Sequence, residues 1–433
     1  MSSRFYHNIP IPNYEQLIHC MHCGLCLPTC PTYELTGLEK HSPRGRIRMI
    51  KAVADGELEL TENFQDSINF CLNCQACVTA CPAGVAYGQL VEAAQLHIAH
   101  HNTIEGRRSL LKKIALDWLF ADLTRLRMVA VFMRVYQRSG LEKVIQQTGI
   151  LKLFSKKLHE LSLITPKVSP LKKYLTLNSQ PKKVEKGIRV GFLIGCIQDV
   201  FFRDVNQDTI DVLRISGYDV FLAQENVCCG SVHGHNGNHQ IAITLAKKNI
   251  DIFDNARVDY VVSNSAGCGA YMKEYGYLLQ DDPEYAERAK KFSDRVQDIS
   301  EFLTAHGWHQ PETFEAVKVT YHEPCHLIHA QQVSEQPRML IKSIPNIEFI
   351  ELPEASWCCG SAGIYNITRY EDSMKILERK MKNIAATGVS CVITGNPGCM
   401  IQLMYGAKKF KVNVHVLHPI SLLKKAYVNE GLI

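Results

Sequence analysis

The chain has 433 residues, 46% of them hydrophobic and 21% charged, with 17 cysteines and a net charge of +5. That length predicts two or three domains with real cores, and the composition excludes a disordered chain. Seventeen cysteines in so long a chain exclude the short secreted disulfide scaffold.

The N-terminal text MSSRFYHNIPIPNYEQ has no apolar signal core, and no run of about eighteen apolar residues occurs to suggest a membrane helix. A reducing cytoplasm with metal-bound thiolates is the expectation. The cysteines are clustered: eight precede residue 82, none falls between 82 and 195, and nine follow.

CMHCGLCLPTCP places Cys20, Cys23, Cys26 and Cys30 before Pro31, and CLNCQACVTACP places Cys71, Cys74, Cys77 and Cys81 before Pro82. This is the spacing of bacterial ferredoxins, in which three thiolates of a looping segment cap one cubane and the fourth ligates the other cluster. The expected sets are Cys20, Cys23, Cys26 and Cys81 for one [4Fe-4S] cluster, and Cys71, Cys74, Cys77 and Cys30 for the second. Structural zinc is the competing reading, but it leaves the third cysteine and the trailing proline of both copies unexplained. Between and after the motifs, Ile47, Ile50, Ala54 and Leu58, then YGQLVEAAQLHIAHHN, read as helices. The basic residues Arg44, Arg46 and Arg48 face two readings, a solvated face or an offset to the negative charge of a thiolate-ligated cluster.

Residues 106–186 hold 18 Lys and Arg against five Asp and Glu, a net of +13. Leu111, Ala115, Trp118, Leu119, Leu123, Leu126, Ala130 and Met133 recur at helical spacing, which predicts an amphipathic helix with a basic side. From residue 163 to 187 the text reads as an extended, Pro-containing linker. The basic face is either simply solvated or a docking surface for a partner subunit or anionic lipid; no nucleic-acid module accompanies it.

The C-terminal half repeats itself over about 130 residues. Cys196, Cys228–Cys229 and Cys268 match Cys325, Cys358–Cys359 and Cys399, with 32 against 33 residues to the pair and 39 against 40 beyond it. Adjacent cysteines make poor disulfides but good paired ligands. Each cysteine follows a short apolar run, and helical patterns lie between, which predicts one parallel sheet per copy with the cysteines at strand C-terminal ends. Each copy thus offers a candidate metal site, holding an iron–sulfur cluster or zinc. Cys391, absent from the first copy, reads as a core cysteine. The histidines His233, His235, His322, His326 and His329 near the motifs read as supporting or surface groups. Gly230 and Gly360 read as turn residues.

Two ferredoxin motifs followed by two CCG repeats resemble the iron–sulfur subunit family of glycolate oxidase over nearly the whole chain, as do CPTYELTG, SPRGRIRMIK, GCGAYMKEYG and CCGSAGIYN. The layout is also similar to the C subunit of anaerobic glycerol-3-phosphate dehydrogenase, heterodisulfide reductase and lactate-utilisation proteins. The implied architecture is an α-helical dicluster ferredoxin domain (1–105), a basic helical bridge and linker (106–186), and a duplicated α/β cysteine-rich domain (187–310 and 311–433). The resemblance implies an electron-transfer subunit that takes electrons from flavin-containing partner subunits oxidising glycolate or a similar 2-hydroxy acid and passes them toward quinone. It implies no catalytic residues of the chain's own, and a cytoplasmic location with peripheral membrane contact. One departure stands out: the fuller CCG motif has a fifth cysteine three residues before the last, where this chain has Ser265 and Asn396. The rival readings are direct disulfide chemistry at the CCG centres and a zinc-bound scaffold.

Overall fold

The computed structural model describes residues 14–104, 114–170, 186–223 and 228–433. Leu111, most of the Pro-containing linker and Asn226 lie outside the described residues.

The first unit is helical. Ser42 accepts a hydrogen bond from the Gly45 N–H at 3.0 Å and Pro43 occupies the first turn, so the helix Pro43–Ala54 starts with both of its expected signals. Gly45 is required there: a Cβ would meet the Glu39 carbonyl oxygen at 1.9 Å. Ile47, Ile50 and Val53 turn inward, onto Phe64 and Ile68 of Glu62–Asn69 and onto Leu90, Val91 and Ala94 of Tyr87–Ile104.

The expected amphipathic helix is interrupted. Asp122 accepts the Thr124 N–H at 2.7 Å and caps a new helix, Leu123–Arg138, so the pattern from Ala115 to Met133 is carried by two elements. Leu126 and Ala130 of this helix are buried against the first CCG repeat. The helix Lys156–Ile164 takes the first residues of the stretch expected to be extended.

The C-terminal half holds two four-stranded sheets, each wholly parallel. In the first, β1 (Arg189–Leu193), β2 (Asp219–Leu222), β3 (Tyr260–Ser263) and β4 (Val296–Asp298) lie in the order β2-β1-β3-β4, with Val190 opposite Val220 and Tyr260. In the second, β5 (Val317–Tyr321), β6 (Ile347–Phe349), β7 (Cys391–Ile393) and β8 (His415–Leu417) repeat that order as β6-β5-β7-β8. The central strands are apolar on both faces because helices cover both, as parallel sheets require. The two copies also share one core: Val190, Leu213 and Val262 of the first pack with Val319, Ile393 and Ile420 of the second. Cys391 sits in that core within β7, where burial pushes its thiol up to about 11.

Candidate metal centres

Both ferredoxin motifs use the same loop conformation. His22 and Gly24 have positive φ (53° and 88°), and so do their counterparts Asn73 and Gln75 (50° and 60°). These left-handed residues flank the second cysteine of each motif and turn the chain around it. Cys20, Cys23, Cys26 and Cys81 line one cleft, with Cys77, Arg44 and Ile47 alongside. Around Cys77, burial and then the neighbouring sulfurs of Cys74, Cys71 and Cys30 push the thiol well above its ordinary range. Cys30 Sγ lies 3.2 Å from Thr32 Oγ1, and the Tyr87 hydroxyl donates to Cys71 Sγ at 3.4 Å. The cysteines of both motifs thus lie close together, with Cys77 facing sulfurs of both expected sets.

The three arginines divide. Arg48 is exposed, and Arg44 pairs with Glu39 and donates to the His22 carbonyl at 3.1 Å. Arg46 is fully buried: its Nε donates to the Ser67 carbonyl at 2.8 Å, its Nη2 to Thr32 Oγ1 at 3.1 Å, and its Nη1 has no partner. Burial opposes its charge, but Tyr87, Cys71 and Cys30 more than offset that and hold the guanidinium protonated.

In the CCG repeats every candidate cysteine follows the C-terminal end of a strand. Cys196 follows β1, the pair Cys228–Cys229 follows β2 and Cys268 follows β3; Cys325, Cys358–Cys359 and Cys399 follow β5, β6 and β7. With β1 and β5 central in their sheets, this is the crevice where open parallel sheets bind ligands. Cys228 Sγ lies 3.5 Å from Cys196 Sγ, and Cys359 Sγ lies 3.5 Å from Cys399 Sγ. The turn after each pair is the same: Gly230 and Gly360 have φ of 89° and 86°, and each donates its N–H to the preceding Cys228 or Cys358 sulfur at 3.4 Å.

Of the five neighbouring histidines, three bind away from the paired cysteines, and His233 lies beside Cys228 while its other nitrogen is tied to the chain. His233 reaches the Leu116 carbonyl at 2.9 Å, His235 meets Glu92 at 2.5 Å, His326 donates to the Asn73 carbonyl at 2.8 Å, and His329 meets Thr79 Oγ1 at 2.9 Å. His322 is different. One of its ring nitrogens, Cys359 Sγ and Cys399 Sγ all lie within 4.8 Å of one another, and all three residues are buried. The spacing of the cysteines alone did not single it out.

This donor chemistry fits metal clusters. All 17 cysteines are free thiols. Burial pushes Cys74 and Cys77 well up, and the hydrogen bond that Cys325 donates to Cys358 together with burial does the same to Cys325. Burial disfavours the thiolate at such positions, and a bound cation favours it. Lys380, also fully buried, donates to the Ala355 carbonyl at 3.2 Å and lies near Cys359, Cys358 and Cys399.

The two kinds of site meet. Phe70, Leu72 and Cys74 of the second ferredoxin motif form one apolar cluster with Cys358, Tyr365 and Ile376 of the second CCG repeat, and Cys325 packs against it. Beside this cluster, His235, Glu92, Asn73 and His326 make a largely buried polar junction that joins the ferredoxin unit to both repeats.

Comparison with known proteins agrees with these divisions. A 4Fe-4S dicluster domain matches residues 16–85, a cysteine-rich domain matches 190–273 and again 319–404, and the linker region of the glycolate oxidase iron-sulfur subunit matches 107–165. A probable glycolate oxidase iron-sulfur subunit of Bacillus subtilis is 41% identical over 424 residues, 95% of this chain and 94% of the relative. The glycolate oxidase iron-sulfur subunit of Escherichia coli is 29% identical over 416 residues, 95% of this chain and 94% of its own length. Lactate utilization protein A of Halalkalibacterium halodurans is 31% identical over 217 residues, half of this chain and 88% of that protein. No described helix is long and apolar enough to cross a membrane.

Proposed function

We infer the function from one premise: this chain belongs to the family of glycolate oxidase iron–sulfur subunits. It is the iron–sulfur subunit of a glycolate oxidase type complex, and its work is electron transfer. In the finer reading, flavin-containing partner subunits oxidise glycolate or a similar 2-hydroxy acid, and this chain takes their electrons and delivers them toward a membrane quinone.

The observation that carries this reading is the dry contact between Cys74 on one side and Cys325 and Cys358 on the other. When bound, iron–sulfur clusters supply one-electron storage at potentials set by charge, hydrogen bonds and burial. We assign Cys20, Cys23, Cys26 and Cys81 to one [4Fe-4S] cluster, and Cys71, Cys74, Cys77 and Cys30 to the second. Cys196, Cys228, Cys229 and Cys268 would hold a further cluster, and Cys325, Cys358, Cys359 and Cys399 another. Phe70, Leu72, Tyr365 and Ile376 exclude water from the ground between the second and the last of these sets. Arg46 holds positive charge beside thiolates that would otherwise repel one another, and Lys380, whose pKa burial lowers to about 8, lies beside the last set.

The bridge supplies the docking face. Met128, Val131, Phe132 and Val135 form an exposed stripe at helical spacing on Leu123–Arg138, with Phe132 76% exposed. Set in a segment with a net charge of +13, this stripe suits an anionic membrane surface, where the quinone is held.

The test is made on anaerobically purified chain. Iron and acid-labile sulfide should exceed the roughly eight of each that two [4Fe-4S] clusters require, and should fall in Cys228→Ser and Cys358→Ser variants. Glycolate should reduce the bound clusters only when the flavin-containing subunits are added. Glycolate-dependent dye reduction by the chain alone would overturn the assignment of substrate oxidation to a partner.

A further inference from the structure

The two CCG repeats share a layout, so their differences can be compared position by position. Three residues before the first cysteine, the first copy has Leu193 and the second His322. On the helix over each paired-cysteine turn, seven residues past Ala242 and Ser373, the first copy has Asn249 and the second Lys380. Both differences replace a neutral or apolar side chain with one that belongs beside a metal-bound thiolate group.

His322 directly follows β5, and its backbone N–H donates to the Ile393 carbonyl at 2.9 Å, which fixes it over the sheet edge. It is 1% exposed, and neither ring nitrogen makes a well-formed hydrogen bond, the Ala355 backbone being the polar group beside the ring. A buried polar group left unpaired costs about 1–3 kcal/mol. With at most one nitrogen turned to the Ala355 backbone, the other still needs a use for its lone pair. Cys359 and Cys399 offer that use, since their sulfurs and the imidazole fall within one ligand-sized group. The position at which a fifth cysteine is missing holds Asn396, whose amide donates to Cys399 Sγ at 3.5 Å and so orients that sulfur.

We propose that His322 is the fifth donor to the metal centre of the second CCG repeat, beside Cys325, Cys358, Cys359 and Cys399, and that the two repeats therefore hold chemically different centres. The proposal rests on the reading of this repeat as an iron–sulfur site. His322 adds a neutral donor to the same four thiolates, so it leaves the charge of the site unchanged; what separates the second centre from the first is its mixed nitrogen and sulfur ligation. Lys380, whose pKa burial lowers to about 8, is the cation beside Cys359, Cys358 and Cys399. The second centre is the one that faces Cys74.

The experiment uses full-length chain carrying Cys228→Ser and Cys229→Ser, labelled with 15N-histidine and purified anaerobically. Pulsed EPR of the paramagnetic state should show a strong histidine nitrogen coupling, because the ferredoxin motifs supply only sulfur. The coupling should vanish in His322→Ala and also in His322→Cys, while His322→Cys retains its iron and shifts the potential of that centre downward. A coupling that is absent in the parent, or that survives His322→Ala, overturns the role of His322 while leaving the iron–sulfur site standing. Iron content that does not fall when Cys358→Ser is added overturns both the site and the ligand.

Discussion

Truncation of Phe70 to alanine tests whether the ferredoxin unit and the second CCG repeat are one packed body. Phe70 caps the helix Glu62–Asn69 and is 4% exposed. Its ring centroid lies 4.5 Å from that of His41 in its own unit and 6.3 Å from that of Tyr365 across the junction, and the Arg369 guanidinium sits 5.4 Å over its face. A buried Phe→Ala change costs about 3–5 kcal/mol, including the cavity it leaves. The cation–π contact alone accounts for about 0.5–1 kcal/mol of what crosses the junction. If about 2 kcal/mol of the loss falls on docking, the docked population shifts by about thirtyfold. Amide hydrogen exchange in full-length protein reads this directly. Residues 356–366, which carry Cys358 and Tyr365, should lose protection in Phe70→Ala. The control is Ile68→Ala, which empties the ferredoxin unit's own core without touching the junction. Equal behaviour of the two variants at residues 356–366 would refute the shared core and, with it, the observation on which the electron path rests.

The Glu92–His235 pair gives the junction a pH window. Burial opposes both charges but each group more than compensates the other, so Glu92 is held below the usual carboxylate range and His235 above the usual imidazole range. The Glu92 contribution is present above its unfolded pKa and lost as pH falls through its depressed folded value. The His235 contribution is complete below its unfolded pKa and lost as pH rises through its raised one. Burial, and then Glu92, push Glu274 up to about 8, so it too favours the folded state less as pH rises toward that value. Junction protection should therefore be greatest between about pH 4.5 and 6.5 and fall on the alkaline side. The same exchange measurement in Glu92→Gln should show a flatter profile, and an unchanged one would refute the pairing. Arg46→Met removes two charge-assisted hydrogen bonds from a closed site, and thermal melting should show a loss of about 2–4 kcal/mol. Arg46→Lys should not rescue it, because one ammonium cannot replace a planar fork. For the bridge, Phe132→Asp should weaken co-sedimentation with anionic vesicles by about tenfold or more, since a buried Phe is worth about 1.5–3 kcal/mol. Equal pelleting of wild type and variant would move the docking face elsewhere.

Much of this was legible in the sequence because it is written at short range. A C-x2-C-x2-C-x3-C-P run fixes which sulfurs share a loop, and two copies of a cysteine spacing fix which strands must end beside one another. Parallel sheets with cysteines at their C-terminal edges follow from apolar runs alternating with helices, and both sheets have that form. The burial of Arg46 was half legible. Arg46, Ile50 and Val53 fall at helical spacing on one face, so the periodicity that buries the two apolar residues buries the guanidinium too. A basic run seen as a composition hides that; the same run seen on a helix separates Arg46 from the exposed Arg48. The break at Phe120–Asp122 was also written locally, as an Asp followed by Leu-Thr, but the apolar recurrence ran across it and masked the cap.

His322 and the Cys74 junction were illegible for a different reason. Each depends on side chains brought together from distant parts of the chain, and no periodicity connects them. Internal duplication provides the one sequence-level handle. Two copies that keep their cysteines to within a residue but exchange Leu193 for His322 and Asn249 for Lys380 have not diverged at random positions. Both exchanges surround the same sulfurs, the Lys380 exchange brings a cation to them, and both occur in the copy whose cysteines share an apolar cluster with Cys74. A duplicated fold that served only to hold two equal centres would have no use for that bias. A route along which electrons are to move in one direction would, because a difference in potential between two otherwise similar sites supplies the direction.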